Sequence, residues 1–424
     1  MSASPTASRT STIASLLAAL AVARFAVAVT ALERIDGPEQ DVRHFGLAYW
    51  EAMPGPMQLP VFDGMAMQVG QQLVVLGGFT RELEATRAIQ IRSPLDGWRP
   101  IGSALLEPRA RASLLPLPNG RALVLGGYSG TWGRDAKARD DGETLDPLVA
   151  GSARDVEPFG ESLDGHAATP LADGRIAVTC GCSLRLFDPT TESWSEPLEL
   201  SRERHHHASV VVGDTLVLIG GDDLGSIESI DLSEVDALPT STYLWEVTLA
   251  RPGEPDGPIT GVAAVALDGR HAYAAGGFRS DDRTTVPTAW CIDVAKRLVH
   301  RTPDLPLPSG ACDLVLATHP RGVIILDGEW RTRGERGNVN ASLLVSRLLA
   351  EGVPTTPEIW RLPSLGASLD LAHRMLVRSA DGTVEVVGGY RYRSPSEDDG
   401  TQPVGVIVDG TGQRLVVDAL GTAD

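Results

Sequence analysis

The sequence has few basic residues, and this shortage argues against whole classes of partner. Of its 424 residues, 37 are Lys or Arg and 55 are Asp or Glu, which gives a formal charge of −18 at pH 7. Only Lys137 and Lys296 are lysines. The summed field of such a chain repels phosphate backbones and anionic lipid headgroups. We therefore expect neither nucleic acid nor a membrane surface as a partner.

Cysteine is also scarce, and its spacing predicts no disulfide framework. The four cysteines are Cys180, Cys182, Cys291 and Cys312, with no C-x-x-C pair among them. Cys180 and Cys182 are two apart in a strand-like run, so they share a face and are poorly placed to bond each other. We expect free, buried or half-buried thiols. A Cys291–Cys312 bridge is the alternative if the chain is exported.

Long apolar runs are scarce too, and the only one lies near the N-terminus. Ile13–Leu32 is rich in Ala, Leu and Val, with Arg24 in its middle and two small-x-small sites. The pattern predicts a signal peptide over residues 1–32 and a polar linker over 33–44, hence a periplasmic, envelope-associated or secreted protein. The alternatives are an uncleaved membrane anchor, which would have to bury Arg24, and an ordinary helix of a cytoplasmic protein.

Glycine and proline, by contrast, are plentiful, with 45 and 29 residues. In a chain with few long helical patterns they indicate many turns, which favours β-structure. The clearest turn lies in Ala208–Gly221, where Gly213-Asp214 joins two apolar runs and a Gly-Gly pair follows. This pattern predicts a β-hairpin.

Variants of this hairpin recur seven times, and each ends in a glycine pair or a remnant of one. The closing pairs are Gly77-Gly78, Gly126-Gly127, Gly181-Cys182, Gly220-Gly221, Gly276-Gly277, Asp327-Gly328 and Gly388-Gly389. Successive copies are about 40 to about 60 residues apart, which is typical of propeller blades rather than of helical repeats. Two more strands follow in most copies, and in four of them a late strand carries a tryptophan: Trp98, Trp194, Trp245 or Trp360.

The hairpin turns, the closing glycine pair and the late tryptophan resemble the kelch repeat family, whose members form β-propellers. The resemblance covers residues 45–420 and implies an all-β, seven-bladed propeller, because a four-stranded unit buries its inner face only by packing against neighbours. Copy two departs from the pattern through a polar insertion, Tyr128–Asp155. To close the ring, we expect the strand Phe45–Trp50 to lie beside the last blade.

The resemblance also implies that the loops before each first strand surround the mouth of a central channel. At that place the copies align Gly64, Arg111, His166, His207, Gly261, Ala311 and His373. One interpretation is structural, with these side chains bonded to loop carbonyls. The other is functional: Arg111 binds a carboxylate through its forked donors, and a histidine with a near-neutral pKa moves a proton.

The loops after the glycine pairs share this face and combine acidic, basic and aromatic residues. Asp222 and Asp223 follow copy four, Arg279 follows copy five and Trp330 follows copy six. Such a mixture is typical of a rim that binds protein or carbohydrate. The alternatives are that the acids hold Ca²⁺ or are solvated surface charges, and that the aromatics only pack the loops down.

Metal and cofactor chemistry finds little support in the sequence. His205 and His207 are two apart, a spacing compatible with a pair of metal ligands, but no carboxylate at fixed spacing accompanies them. Copper-radical oxidases with kelch-like propellers need a Tyr-His step, and no tyrosine here precedes a histidine. No nucleophile elbow is present either. We expect no metal and no cofactor.

Two hypotheses of function follow. The first is a monomeric binding propeller whose loop face engages a protein or a carbohydrate ligand. The second is a sugar-processing enzyme, similar to propeller epimerases and lyases, in which His207, His166 or His373 acts as acid or base and Arg111 holds a substrate carboxylate. The first is favoured because these positions fall on the repeat consensus.

Overall fold

The computed structural model describes residues 30–35, 44–53, 55–93, 96–233, 241–249, 259–279, 281–307, 310–326, 328–332, 336–339, 342–362, 375–378, 384–392, 406–408 and 411–417. Most of the predicted signal peptide lies outside these residues, as does His373. Among the described residues no helix is long or apolar enough to cross a membrane. The regular structure is β, apart from one 3-10 turn at Pro118–Gly120.

The strands of the first half, in chain order, are β1 (Thr30–Ile35), β2 (His44–Ala52), β3 (Met65–Val69), β4 (Gln72–Leu76), β5 (Ala88–Ser93), β6 (Gly97–Ala104), β7 (Ser113–Pro116), β8 (Ala122–Leu125), β9 (Tyr128–Ser129), β10 (Lys137–Ala138), β11 (Gly142–Leu145), β12 (Arg154–Val156), β13 (Ala167–Pro170), β14 (Ile176–Asp188), β15 (Ser193–Trp194), β16 (Leu198–Arg204), β17 (Ala208–Val212), β18 (Thr215–Ile219), β19 (Ser226–Asp231) and β20 (Thr242–Thr248).

The strands of the second half are β21 (Ile259–Thr260), β22 (Ala263–Ala266), β23 (His271–Ala275), β24 (Phe278–Arg279), β25 (Ala289–Asp293), β26 (Leu298–Arg301), β27 (Val315–His319), β28 (Gly322–Leu326), β29 (Glu329–Arg331), β30 (Arg336–Asn338), β31 (Ser342–Ser346), β32 (Leu349–Ala350), β33 (Val353–Pro354), β34 (Glu358–Arg361), β35 (Met375–Arg378), β36 (Val384–Val387), β37 (Tyr390–Tyr392), β38 (Val406–Val408) and β39 (Gly412–Val417).

These strands form a β-propeller of six antiparallel sheets. Five sheets have four strands each, namely β3–β6, β7-β8-β11-β12, β13–β16, β17–β20 and β22-β23-β25-β26. The sixth has nine strands in the order β27-β28-β31-β34-β1-β2-β39-β36-β35. The all-β propeller expected from the repeats is therefore confirmed, and short two-stranded hairpins decorate its loops.

The prediction of seven separate blades is wrong, because copies six and seven share one sheet. All seven predicted hairpins are present, but β1 joins the last two repeats. It pairs with β34 through Arg34 and Trp360, and with β2 through Thr30 and Ala48. A strand placed between two sheet edges satisfies the backbone groups of both. The sheet thus includes residues before position 45, which the sequence pattern assigned to the signal and the linker.

Ring closure follows the prediction. Strand β2, which contains the predicted Phe45–Trp50 strand, pairs with β39 from Ala48↔Val417 to Ala52↔Gln413. The nine-stranded sheet is therefore completed by an N-terminal strand next to the last strand of the chain. This pairing joins the two ends of the propeller and leaves β38 to pair with β37 outside the sheet.

The core lies between adjacent sheets, and late tryptophans help to fill it. Trp98 is 5% exposed and packs in one cluster with Met375 and Val377 of copy seven. Trp245 shares a cluster with Trp290 of the next sheet. A large aromatic side chain between two sheets buries much apolar area, so these contacts hold neighbouring sheets in place.

All four cysteines are free, so the alternative Cys291–Cys312 bridge does not form. Cys180, Cys291 and Cys312 are buried, and Cys182 is exposed. Burial raises the pKa of Cys180 and of Cys291 to about 12. Because the thiolate is the reactive form, these two thiols are inert at neutral pH.

Candidate functional site at the channel mouth

The first strand of each repeat contacts the first strand of the next, so these strands line a central channel. The contacts run from β3 to β7, β13, β17, β22 and β27 in turn, and β3 also contacts β35. Two positions before six of these strands lies a residue with positive φ: Asp63 (51°), Arg111 (55°), Gly165 (64°), His206 (52°), Gly261 (67°) and Asp313 (54°). We call these six residues the mouth ring.

Backbone hydrogen bonds link members of the mouth ring to one another. The N–H of Arg111 donates to the carbonyl of Asp63 at 2.7 Å, and that of His206 donates to Gly165 at 2.7 Å. The N–H of Gly261 then donates to His206 at 2.7 Å. In these three cases the left-handed residue donates its N–H to the ring member of the preceding repeat, which satisfies the backbone groups of both.

The left-handed conformation is free of strain only for glycine, yet four ring members keep a side chain. Any other residue costs on the order of 1 kcal/mol or more in this region. Only glycine fits at position 165, because a Cβ at Gly165 would lie 2.6 Å from the backbone nitrogen of His206. The strain is retained by four polar residues, Asp63, Arg111, His206 and Asp313. Backbone strain retained by polar residues at a cavity is typical of functional sites.

Asp63 and Arg111 form an ion pair at the rim, with 2.7 Å between Oδ2 and Nε. The side chain of Asp63 is 7% exposed and that of Arg111 is 34% exposed. Burial works to lower the pKa of Arg111, but the charges of Asp63 and Asp313 outweigh it and raise the pKa. The guanidinium is permanently charged, and its charge is already compensated within the protein.

His206, Asp164 and Tyr128 meet at a second point of the rim. His206 Nε2 is 3.8 Å from Asp164 Oδ1, which also accepts the hydroxyl hydrogen of Tyr128. Burial lowers the pKa of His206 against the opposing effect of Asp164, so the imidazole is neutral at pH 7. Burial and the bond to Asp164 raise the pKa of Tyr128. The group therefore offers both donors and acceptors while His206 and Asp164 stay about half exposed.

Asp313 anchors a third group on the other side of the mouth. Arg331 Nη2 lies 3.2 Å from Asp313 Oδ2 and 3.2 Å from Glu329 Oε2. The hydroxyl of Tyr390 donates to Glu329 Oε1, and the Arg331 guanidinium stacks on the Phe278 ring at 4.8 Å. Each charged group at this point therefore has a partner of opposite sign.

A cavity of about 400 Å³ opens below these groups, between β17, β22 and β27. His206, Gly261 and Asp313 lie at its top, and small apolar residues such as Ala208 and Ala263 form its wall. Its volume is in the range of small-molecule sites. A ligand seated there would meet the side chains of the mouth ring first.

Two of the predicted channel histidines are one residue away from the mouth ring and turn into the protein, which corrects the sequence alignment. His207 is 6% exposed, and its Nε2 lies 2.6 Å from the hydroxyl of Thr179. Burial lowers its pKa to about 3. His166 Nδ1 bonds the carbonyl of Leu163 at 2.7 Å, and burial lowers its pKa as well. Neither histidine is a near-neutral proton carrier.

A fully buried polar layer accompanies His207. Arg204 Nη1 donates to the carbonyl of Gly220 at 2.7 Å, and its Nε lies 3.2 Å from Glu228 Oε2. Arg109 makes the equivalent bonds with Gly126 and Glu143. Both arginines precede a first strand by four residues. We call Arg109, Glu143, Arg204, Glu228 and His207 the buried polar layer. Its arginines pair with its glutamates, and His207 bonds Thr179.

The two predicted acidic residues, Asp222 and Asp223, have different roles. Asp222 is buried and accepts hydrogen bonds from the N–H of Ser226 at 2.8 Å and from its hydroxyl at 2.5 Å. Asp223 is 78% exposed and lies 3.0 Å from Arg202 Nη1. Asp222 therefore shapes the loop, and Asp223 is the member of the pair that faces solvent.

His205 and His207 do not form the metal pair considered from their spacing. His205 Nδ1 lies 2.9 Å from the carbonyl of Asp164, and His205 lines a groove outside the channel. His207 faces the interior, toward Thr179. Across the described ranges, no group of three or more His, Cys, Asp or Glu is arranged to hold a metal ion.

Arg279 and Trp330 do not join the channel cavity. Arg279 lies in β24 and pairs with Ile259. Trp330 packs across its own hairpin, since a Cβ added at Gly337 would lie 2.5 Å from Trp330 Nε1. Trp330 therefore follows the alternative in which a loop aromatic packs the loop down.

The sequence alignment missed most of the site. Asp63, His206 and Asp313 are two positions before a first strand, whereas the alignment chose neighbouring residues in these three copies. The run of three histidines at 205–207 concealed the register, because each member is chemically identical. Tyr128 does carry a repeat signal, because an aromatic residue also follows the glycine pair at Phe79, Phe278 and Tyr390. Asp164 carries none.

Comparison with known proteins adds a likeness of fold alone. No protein-family model matches the chain, and no curated protein matches it. The solved structure of YjhT is similar, with 16% sequence identity, a TM-score of 0.49, and coverage of 72% of this chain and 98% of that one. At this level of similarity we draw no functional conclusion. The propeller architecture is given by the sheet topology, and membership of the kelch family stays a prediction.

Proposed function

We propose that this protein is a binding propeller that takes a polyhydroxylated ligand, a sugar unit of a glycan, at the channel mouth. One observation carries the proposal: four polar side chains of the mouth ring keep a left-handed conformation where glycine would be unstrained, above a cavity of about 400 Å³. Ion pairs hold Asp63, Arg111 and Asp313, so the side chain that most supports a ligand role is His206, which is about half exposed and lies 3.8 Å from the Asp164 carboxylate.

The chemistry of the rim supports a neutral or amino sugar rather than an acidic one. Four carboxylates stand against two guanidinium groups there: Asp63, Asp164, Asp313 and Glu329 against Arg111 and Arg331. Because Arg111 is already paired with Asp63, the expected capture of a ligand carboxylate by Arg111 loses support. Sugar hydroxyls both donate and accept, which matches carboxylates, guanidinium groups and a neutral imidazole side by side.

A glycan array with neutral, amino and acidic sugars tests this proposal, followed by calorimetric titration of any sugar retained. We expect neutral or amino sugars to bind, and His206→Ala to weaken that binding about tenfold, the equivalent of about 1.4 kcal/mol for lost hydrogen bonds. Glu351→Ala is a matched control, because Glu351 also has positive φ (50°) but lies at the opposite end of its sheet. Retention of no sugar would contradict the proposal.

A second candidate function is an enzyme that acts on the bound sugar, and the Tyr128–Asp164–His206 group favours it. A neutral imidazole close to a carboxylate can accept a proton at neutral pH, and the imidazolium that forms can return it. This role would fall to His206 instead of His207 or His166. Incubation of the retained sugar with the protein, followed by NMR, separates the two functions. Conversion that Tyr128→Phe abolishes would establish the enzyme, and an unchanged sugar would leave binding alone.

The proposal includes export of a monomer by way of the N-terminal apolar segment. The support is the sequence pattern of residues 1–32. A mass measurement of the mature protein tests export: removal of about the first 23 to 28 residues, which leaves β1 intact, would agree with it, and an intact N-terminus would contradict a cleaved signal.

A further inference from the structure

We infer that a groove beside the channel mouth is a second subsite, which takes the next sugar unit of the same glycan. The inference rests on the proposed function and deepens it, since it makes the ligand an oligosaccharide. The groove has a volume of about 510 Å³ and is lined by Arg202, Glu203, His205, Asp222, Asp223 and Thr260, among others. It lies outside the ring of first strands, at the end of β16.

Two polar atoms in this groove are buried without a hydrogen-bond partner among the described residues. They are Nε of Arg202 and Oγ1 of Thr260. The nearest carboxylate oxygen to Arg202 Nε, in Asp222, is 3.8 Å away, too far for a hydrogen bond. A buried polar group that lacks a partner destabilises the free protein. A rotation of either side chain toward the groove that it lines would let a ligand's oxygen acceptor recover this loss.

The rest of the groove supplies acceptors. The Glu203 side chain is 71% exposed and that of Asp223 is 78% exposed, so both carboxylates are accessible to a ligand. Arg202 Nη1 holds Asp223 at 3.0 Å, and His205 Nε2 lies 3.2 Å from Glu203. Donors and acceptors therefore alternate along the groove. This arrangement fits hydroxyl groups, and an ammonium substituent, better than a carboxylate.

Asp164 links the groove to the mouth, which favours a single extended ligand. The backbone carbonyl of Asp164 bonds His205 in the groove at 2.9 Å. The carboxylate of the same residue faces His206 at the mouth. The linings of the groove and the cavity are also neighbours in the chain twice, at His205 and His206 and at Thr260 and Gly261. The proposal is that a glycan with one unit at the mouth places its next unit in the groove.

The experiment compares free monosaccharides with their di- to tetrasaccharides, using the sugar type retained on the array. Wild-type protein is expected to bind the oligosaccharide at least tenfold more tightly than the monosaccharide. Thr260→Val removes a hydroxyl that has no partner in the free protein, so it should raise the melting temperature. It should also reduce the oligosaccharide preference severalfold, since each lost hydrogen bond is worth a factor of about 2 to 12.

Arg202→Gln should reduce the preference further, because it removes the charged donor. The matched control is Thr215→Val, on β18 at the opposite end of the neighbouring sheet, which should leave the preference unchanged. Equal affinity for mono- and oligosaccharide would overturn the second subsite and leave the proposed function standing. An oligosaccharide preference that neither groove variant reduces would overturn it too. Failure of every sugar to bind would overturn both.

Discussion

His206 and His207 are neighbours in the chain, yet they belong to two regions with different roles. His206 lies in the mouth ring with its side chain 48% exposed, whereas His207 lies in the buried polar layer and is 6% exposed. His207 has a hydrogen-bond partner in Thr179, and His206 has only the distant Asp164 carboxylate. One residue of register thus separates a structural histidine from a candidate ligand-binding one.

The contrast between the two histidines separates the polar residues of this protein into two groups. Members of the buried polar layer bond one another or the loop carbonyls, as Arg204 does with Glu228 and Gly220. They are explained by the fold alone. The mouth ring carries backbone strain, and His206 is its half-exposed member, which the ion pairs of the ring do not include. The predictions below test this separation.

The largest expected effect is in the buried polar layer. Arg204→Met leaves the Glu228 carboxylate, which is 0% exposed, without its partner, so it should lower the free energy of unfolding by about 3–5 kcal/mol. Chemical denaturation measures this loss. Arg301→Met is the control, since the Arg301–Asp304 pair is more than a third exposed on both sides and should cost less than about 1 kcal/mol. Equal losses in the two variants would show that burial does not distinguish these pairs.

The second prediction concerns pH. The folded-state pKa of His207 is about 3, below its ordinary value of 6.5, so between these values the unfolded chain binds a proton that the native protein does not. Stability should therefore fall with decreasing pH by about 1.4 kcal/mol per unit from this residue alone. His207→Gln should remove that slope, a difference of about 2.3 kcal/mol between pH 6.5 and 4.5. Parallel pH profiles would contradict the buried assignment.

The third prediction is that replacing a mouth-ring glycine by alanine destabilises the protein, whereas the same change at an unstrained position usually stabilises it. Gly165→Ala places a Cβ 2.6 Å from the His206 nitrogen at a φ of 64°, and it should destabilise the protein by about 2 kcal/mol or more. Thermal or urea unfolding measures the change. A stabilising effect, as seen for Gly→Ala at unstrained positions, would mean that the ring has room to relax.

The smallest expected effect on stability is at His206 itself. His206→Gly relieves the strain of a φ of 52°, so the free energy of unfolding should stay constant or rise by up to about 1 kcal/mol. The same measurement as for Gly165→Ala checks it. A loss above about 2 kcal/mol would place His206 with the structural residues of the buried polar layer.

Much of the fold is predictable from local pattern, because turns and glycine pairs report directly on hairpins. The Ala208–Gly221 hairpin forms as expected, and Trp98 and Trp245 pack between sheets. The sharing of one sheet by copies six and seven is not predictable, since the pairing of β1 with β34 joins residues more than 300 positions apart in the chain. Local patterns carry no signal for such a contact.

The candidate site is harder to predict, because it depends on backbone conformation rather than on residue type. The sequence predicts Arg111, but Asp63 and Asp313 have in common with it only a position two residues before a first strand and a positive φ. The choice between His206 and His207 depends on which of them precedes the strand by two residues. Sequence alignment at one-residue accuracy is beyond what hairpin patterns provide.

The most direct test of the account measures affinity and stability on the same variant. Titration of His206→Gly with the sugar retained by the wild type should show about tenfold weaker binding, with a free energy of unfolding equal to or above that of the wild type. That combination would show that the strained side chain serves a ligand and not the fold. Unchanged affinity in this variant would contradict the central claim.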